Sequence, residues 1–140
     1  MSSSLKRYLL AQSSVYPDVL FELRHQQKES CWTWFIFPQL KGLGKSSKSL
    51  KFALTDRDEV NSYWEHPILK KRLIQCCELL LAVGQESFDD CLGDHDTVMK
   101  VHACITLFYI VTGDELFLKL IHRFYEGQLH QKTVELLKLT

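Results

Sequence analysis

The sequence predicts a single compact domain that is predominantly helical, and three observations lead to this fold class. Apolar residues recur at helical spacing through most of the 140 residues. Glycines follow three of the apolar segments at positions where helices end. No run of alternating strands, internal repeat or linker rich in proline, glycine or serine divides the chain, so residues 1–140 are expected to form one domain.

Three helices are predicted in the first half of the chain. Pro17 can lie in the first turn of the first of these helices. Asp56 and Glu59 form a capping pair for the second helix. Pro67 begins the third, which ends near Gly84. The apolar stripe of this third helix comprises Ile68, Leu69, Leu73, Cys76, Cys77 and Leu80.

The second half contains the most apolar helix. Asp96 can cap a helix from Thr97 to Thr112, and Gly113 ends it. A further helix ends at Gly127, and the segment from Thr133 to Leu139 is also helical in character. The residues expected in the core are Trp32, Phe35, Leu73, Leu80, Leu107, Phe108, Leu120 and Phe124.

Charge and hydropathy argue against several classes of function. Lysine plus arginine and aspartate plus glutamate both number 17, so net charge gives no reason to expect general binding to nucleic acid or to anionic membranes. A local lysine cluster is interpreted as solvated surface and comprises Lys41, Lys45, Lys48 and Lys51. We expect no signal peptide and no segment that crosses a bilayer, which predicts a cytoplasmic protein.

The five cysteines predict neither a disulfide framework nor a metal site. They are Cys31, Cys76, Cys77, Cys91 and Cys104, an odd number with two adjacent. The sequence contains no C-x-x-C and no H-E-x-x-H motif. We therefore expect reduced, mostly buried thiols, no structural metal and no cofactor.

An aromatic segment followed by a glycine-rich turn, SCWTWFIFPQLKGLGKSS at residues 30–47, is the most distinctive stretch of the chain. A phosphate-binding P-loop requires the pattern G-x-x-x-x-G-K-[ST]. Its first glycine would fall at position 39, which is Gln39, and the neighbouring Pro38 has no N–H group to donate. The P-loop interpretation therefore fails.

Two interpretations of this stretch remain open. In one, the aromatic residues belong to the core and the glycines only turn the chain. In the other, the two glycines let the backbone approach a ligand closely, and a tryptophan forms the wall of a pocket beside them. The residues of this candidate ligand site are Trp32, Trp34, Gln39, Gly42, Gly44, Lys45 and Ser46.

The same stretch resembles the signature of the domain of unknown function catalogued as 1810, whose members often read S-H-W-M-W-F-I-F-P-Q-L-x-G-L-G-x-S. The resemblance continues in order over about residues 5–139. Residues 59–73 are similar to the family's E-A-x-x-Y-L-x-H-P-x-L-x-x-R-L, and residues 100–108 to its K-L-x-S-S-x-T-L-F. Residues 106–118 are also similar to the end of the NADAR superfamily, whose members handle ADP-ribose derivatives.

The resemblance implies an all-α fold of many helices packed in about two layers. It overrides the strand that β-propensity alone predicts for residues 32–37. The chain departs from the family pattern at four positions. Cys31 and Thr33 replace a histidine and a methionine, and Ala103 and Cys104 replace two serines. If the family's chemistry uses those side chains, it is lost or altered here, although Cys31 and His102 could in principle form a nucleophile and a base.

Two functions follow as hypotheses. The first is a small-ligand-binding protein that binds, or acts on, a nucleotide or ADP-ribose derivative in NAD-linked metabolism. Its candidate catalytic residues are Asp96, as a general base, and Lys100, and either Lys100 or Lys45 would neutralise phosphate charge. The alternative is a non-enzymatic helical module that binds a protein partner, and whether the protein is an enzyme stays open.

Overall fold

Residues 2–140 of the computed structural model form nine α-helices and no extended strand, with side chains described from residue 5 onward. The helices are α1 (Ser2–Arg24), α2 (Thr33–Ile36), α3 (Ser47–Lys51), α4 (Arg57–Glu65), α5 (Pro67–Leu81), α6 (Phe88–Leu92), α7 (His95–Thr112), α8 (Glu115–Phe124) and α9 (Gln131–Leu137). A 3₁₀ turn at Gln85–Ser87 precedes α6. The all-α fold class is confirmed, and a short helix replaces the strand that propensity favours for residues 32–37.

The packing is organised around α5 and α7. Helix α7 contacts α2, α4, α6, α8 and α9, while α5 contacts α1, α4 and α8. Because α4 and α8 lie against both of these helices, the bundle has about two layers, one around α5 and one around α7. No helix described for residues 2–140 is both long and apolar enough to cross a membrane.

A hydrophobic cluster follows these helix contacts. Seven of the eight expected core residues are buried in it, namely Trp32, Phe35, Leu73, Leu80, Leu107, Phe108 and Leu120. Phe124 is the exception, because it is only half-buried. Its ring stacks on that of Phe88 at the edge of the cluster, with the centroids 3.8 Å apart.

Helix α1 is longer than the sequence predicts. It does not begin near Pro17 but contains this proline inside a helix of 23 residues. A proline inside a helix removes the hydrogen bond to the carbonyl four residues earlier, here that of the exposed Ser13. The same helix buries an apolar face that includes Tyr8, Val19 and Leu23, so packing on both sides of Pro17 outweighs this loss.

Two predicted helix caps are wrong. The cap of α7 is Asp94, whose carboxylate accepts a hydrogen bond from the Thr97 N–H at 2.7 Å, so Asp96 lies in the first turn instead. Helix α5 ends at Leu81, and Gly84 has an ordinary φ of −66° after the helix has already stopped. The Asp56 cap of α4, the Pro67 start of α5 and the Gly113 end of α7 agree with the sequence prediction.

The chain between α2 and α4 forms a closed loop that carries α3. The Lys41 N–H donates to the Leu54 carbonyl, and the Leu54 N–H donates to the Gln39 carbonyl, both at 2.8 Å. These two bonds form an isolated bridge between Leu40 and Leu54. The bridge holds the two ends of the loop together and therefore fixes the position of the glycine-rich turn.

Candidate functional site

A surface depression of about 150 Å³ lies where this loop meets the start of α7. Its walls are Gln39, Leu43, Gly44, Ser49, Asp96, Met99, Lys100 and His130. A smaller space of about 20 Å³ shares four of these residues, which are Gln39, Leu43, Gly44 and Ser49. The smaller space also borders Trp34 and Gly42.

The structure brings together some of the residues that the sequence analysis selected. Gln39, Gly44, Asp96 and Lys100 line the depression, although more than 50 positions separate the first two from the last two. Trp34 and Gly42 lie at the adjoining space. Trp32, Lys45 and Ser46 line neither space.

Trp32 belongs to the core instead of the depression. Its side chain is only 1% exposed, and its indole N–H donates to the Glu22 carboxylate at 2.9 Å. The same carboxylate accepts hydrogen bonds from the Glu29 and Ser30 N–H groups, at 2.8 and 3.0 Å. A tryptophan held in this way presents no face to a ligand, so the predicted role of Trp32 as a pocket wall does not agree with its position.

Trp34 is half-buried beside the depression and has two lysines over its ring. The Nζ atoms of Lys48 and Lys100 lie 5.2 and 4.8 Å from the ring centroid, within the range of cation–π attraction. Its indole N–H donates to the Ser49 Oγ at 3.2 Å. Trp34 therefore holds positive charge at the edge of the depression.

Ser46 caps α3, and this contact accounts for its position. The Ser46 Oγ accepts a hydrogen bond from the Ser49 N–H at 3.1 Å, and Lys45 before it is exposed. Gly42 has a φ of +108°, which favours glycine, and a Cβ there would lie 3.3 Å from the side chain of Leu136. These three residues shape the loop without lining the depression.

Gly44 is required by the close approach of Ser49. A Cβ at position 44 would lie 2.5 Å from the Ser49 Oγ and 2.7 Å from its Cβ. We expect Gly44→Ala to lower the free energy of unfolding by about 1–3 kcal/mol, as overpacking does. Urea denaturation measures this loss. Gly84→Ala is the control, because nothing lies within 4 Å of its Cβ, and it should be neutral or slightly stabilising. Equal stability of the two variants would contradict the steric requirement.

Charged and polar groups of several kinds surround the depression. Lys100 and Asp96 form an ion pair one turn apart on α7, with side chains 23% and 75% exposed. The half-buried Gln39 side chain has no hydrogen-bond partner among the residues described, and its amide can both donate and accept. With the hydroxyl of Ser49, the depression offers cationic, anionic and neutral hydrogen-bonding groups to one small ligand.

Sequence reasoning missed four wall residues, Leu43, Ser49, Met99 and His130, and His130 is the one among them that titrates. It caps α9, with its Nδ1 accepting a hydrogen bond from the Thr133 N–H at 3.3 Å. Burial and the neighbouring His102 lower its pKa below the usual histidine value. The sequence places His130 just before a predicted helical segment, which suggests a cap, but no local spacing connects it with Gln39 or Asp96.

Three of the four positions at which the chain departs from the family pattern are buried, and so is the neighbouring His102. His102 is 7% exposed, its Nε2 donates to the Gln128 carbonyl at 2.7 Å, and its ring stacks on Tyr125 at 4.0 Å. Burial lowers the pKa of His102. Ala103 and Cys104 are buried in α7, whereas Cys31 is exposed. Among the described residues, no group of three or more His, Cys, Asp or Glu is arranged to hold a metal ion.

Comparisons with known proteins place the whole fold among relatives of unknown function. The model of a family described as "Protein of unknown function (DUF1810)" matches residues 2–137. A crystal structure of the conserved hypothetical protein Rv1873 from Mycobacterium tuberculosis is 36% identical, covers 97% of each chain and has a TM-score of 0.92. The comparison with curated proteins finds no match.

Proposed function

The chain belongs to the DUF1810 family, which is described only as having unknown function, so we propose a function from the chain's own residues. The protein binds a nucleotide-like small molecule of the ADP-ribose class in the depression beside α7. One observation carries this proposal. Gln39 from the loop after α2 lines one depression with Asp96 and Lys100 of α7, and the chemistry of all three suits a ribose phosphate.

The polar groups of the depression are complementary to a ribose phosphate. The Gln39 amide can donate to and accept from ribose hydroxyls, and the exposed oxygens of Asp96 can accept from them. Lys100 and Lys48 supply positive charge for phosphate from their positions at Trp34. A nucleotide derivative that contains both ribose and phosphate would use all of these groups.

The size of the depression limits how much of the ligand it encloses. Its volume of about 150 Å³ is smaller than the roughly 300–1,000 Å³ that is typical of sites for drug-sized ligands. One ribose or phosphate unit would enter it, and the rest of the ligand would lie along the rim. Met99, which is 36% exposed, lies at the depression, and Leu50, which is 60% exposed, borders the adjoining smaller space.

The hypothesis also includes a catalytic role in NAD-linked metabolism. In it, Asp96 is the general base of a reaction on the bound ADP-ribose derivative. The ion pair to Lys100 orients the Asp96 carboxylate at the depression. Asp96→Asn should abolish turnover of an ADP-ribose derivative if the protein is an enzyme. Turnover that survives this substitution would exclude Asp96 as the base.

Binding can be tested with ADP-ribose, NAD and ATP by isothermal titration calorimetry and thermal shift. We expect Lys100→Gln to raise the Kd of the bound compound about tenfold or more, since it removes a charge-assisted contact. Lys45→Gln is the matched control, because this nearby lysine lines neither space. The absence of binding to all three compounds, or equal losses in both variants, would contradict the proposal.

The alternative function, a protein-interaction module, is favoured by a different surface. Leu10 and Phe21 are 76% and 61% exposed, and about three helical turns separate them on the outer side of α1. Eleven positions amount to about three full turns, so both side chains lie on the same face of the helix, where one partner segment could cover them. If the three compounds fail to bind while Leu10→Gln and Phe21→Gln together abolish self-association or binding to a purified partner, this alternative would replace the first.

A further inference from the structure

We infer that His130 is a ligand-binding residue of the depression, and that its Nε2–H donates a hydrogen bond to a phosphate oxygen of the bound nucleotide derivative. The inference rests on the proposed function and adds to it a donor that the sequence motifs do not contain. Three features of the structure support it: the fixed orientation of the ring, the position of its proton, and the absence of a protein partner for Nε2.

Two buried threonines hold His130. The backbone N–H of His130 donates to the Thr106 Oγ at 3.0 Å, and the Thr133 hydroxyl lies 2.9 Å from the ring Nδ1. Both threonines are 0% exposed. Because a buried hydroxyl must keep its hydrogen bonds, the Thr106 contact anchors the backbone of His130 and the Thr133 contact resists rotation of its ring.

The proton of the neutral ring lies on Nε2. Nδ1 accepts from the Thr133 N–H, and a neutral imidazole that accepts at one nitrogen carries its proton on the other. The lowered pKa of His130 favours the neutral ring near pH 7. His130 is therefore a hydrogen-bond donor at Nε2 and not a base at that atom.

The Nε2 atom has no hydrogen-bond partner among the described residues. Every wholly buried side-chain nitrogen or oxygen in that part of the chain has a partner, so Nε2 is accessible to solvent. His130 lines the depression together with Lys100. The buried His102 supports the ring edge to face, with the centroids 5.4 Å apart. Nε2–H and the Lys100 ammonium are thus two donors in one depression, which suits a phosphate oxygen.

The His130→Asn variant distinguishes the role of residue 130 as the cap of α9 from its proposed role as a hydrogen-bond donor to the ligand. An asparagine carbonyl can accept from the Thr133 N–H as a helix cap, but the side chain is too short to present a donor where Nε2 lies. We expect this variant to melt close to the wild-type temperature, while its Kd for ADP-ribose rises about tenfold. His130→Ala should lose both stability and affinity, because it removes the cap as well.

The measurements are thermal melting and calorimetric titration of ADP-ribose into the wild type and both variants. Unchanged affinity in a folded His130→Asn variant would overturn the role of His130 and leave the proposed function standing. Failure of the wild type to bind ADP-ribose, NAD or ATP would overturn both. Unchanged affinity in His130→Ala would likewise exclude His130 from the site.

Discussion

Leu107→Ala is expected to lower the free energy of unfolding by about 2–5 kcal/mol, the range for truncation of a buried leucine. Leu107 is 0% exposed and lies in α7, which contacts five other helices. The substitution removes apolar contacts and leaves a cavity that neighbouring helices on several sides cannot all move to fill. Urea denaturation at neutral pH, with the wild type measured in parallel, gives the change directly.

Leu10→Ala is the matched control for this prediction. It makes the same chemical change in another helix, but Leu10 is 76% exposed, so the free energy of unfolding should change by no more than about 0.5 kcal/mol. A loss below about 0.5 kcal/mol for Leu107→Ala would be incompatible with its burial in α7. Equal losses for the two variants would mean that helix propensity, and not core packing, determines both values.

The helices could be predicted where local signals agree with packing. The Asp56 cap, the Pro67 start and the Gly113 end are each local, and the structure has all three. Pro17 shows where local reasoning fails, because the buried faces on either side of it extend α1 through the proline. Asp94 and Asp96 are both acceptable caps by residue type. The fold selects Asp94, which places the buried Thr97 and Val98 in the first turn of α7.

The two tryptophans of the distinctive stretch could not be assigned from composition. Two positions along a helix correspond to about 200° of rotation, so residues 32 and 34 face nearly opposite directions where α2 begins. Trp32 points into the core and bonds to Glu22, while Trp34 lies beside the depression with its two lysines. The sequence prediction of a pocket wall named both tryptophans as candidates, and only Trp34 borders the space beside the depression.

The candidate site depends on tertiary structure that no local pattern contains. Sequence chemistry could select Gln39, Asp96 and Lys100 one by one. Their proximity depends on the loop between α2 and α4, whose two ends are held together by the bridge between Leu40 and Leu54. His130 lies at the depression because its backbone N–H bonds to Thr106, which joins the start of α9 to α7, and the Thr133 N–H bonds to its ring.

Glu22→Ala is expected to lower the free energy of unfolding by about 2–4 kcal/mol, mainly because it leaves a buried donor without a partner. The Glu22 side chain is 7% exposed, and its carboxylate accepts from the Trp32 indole, two backbone N–H groups and the Ser30 hydroxyl. Without it, the indole N–H of the fully buried Trp32 would lose its acceptor. The change is measured by urea denaturation and by the fluorescence of the tryptophans.

Glu22→Gln separates the charge of this side chain from its shape. The amide oxygen can still accept from the three N–H donors, so we expect the free energy of unfolding to fall by only about 1 kcal/mol at pH 7.

Burial alone would raise the pKa of Glu22, but the hydrogen bonds from Glu29, Ser30 and Trp32 outweigh it and hold the pKa below the ordinary 4.5. The unfolded chain therefore binds a proton at higher pH than the folded protein does. The stability advantage of the wild type over Glu22→Gln should be constant above about pH 4.5 and shrink as the pH falls below it. An advantage that grows on acidification would mean that burial, and not the donated hydrogen bonds, controls this carboxylate.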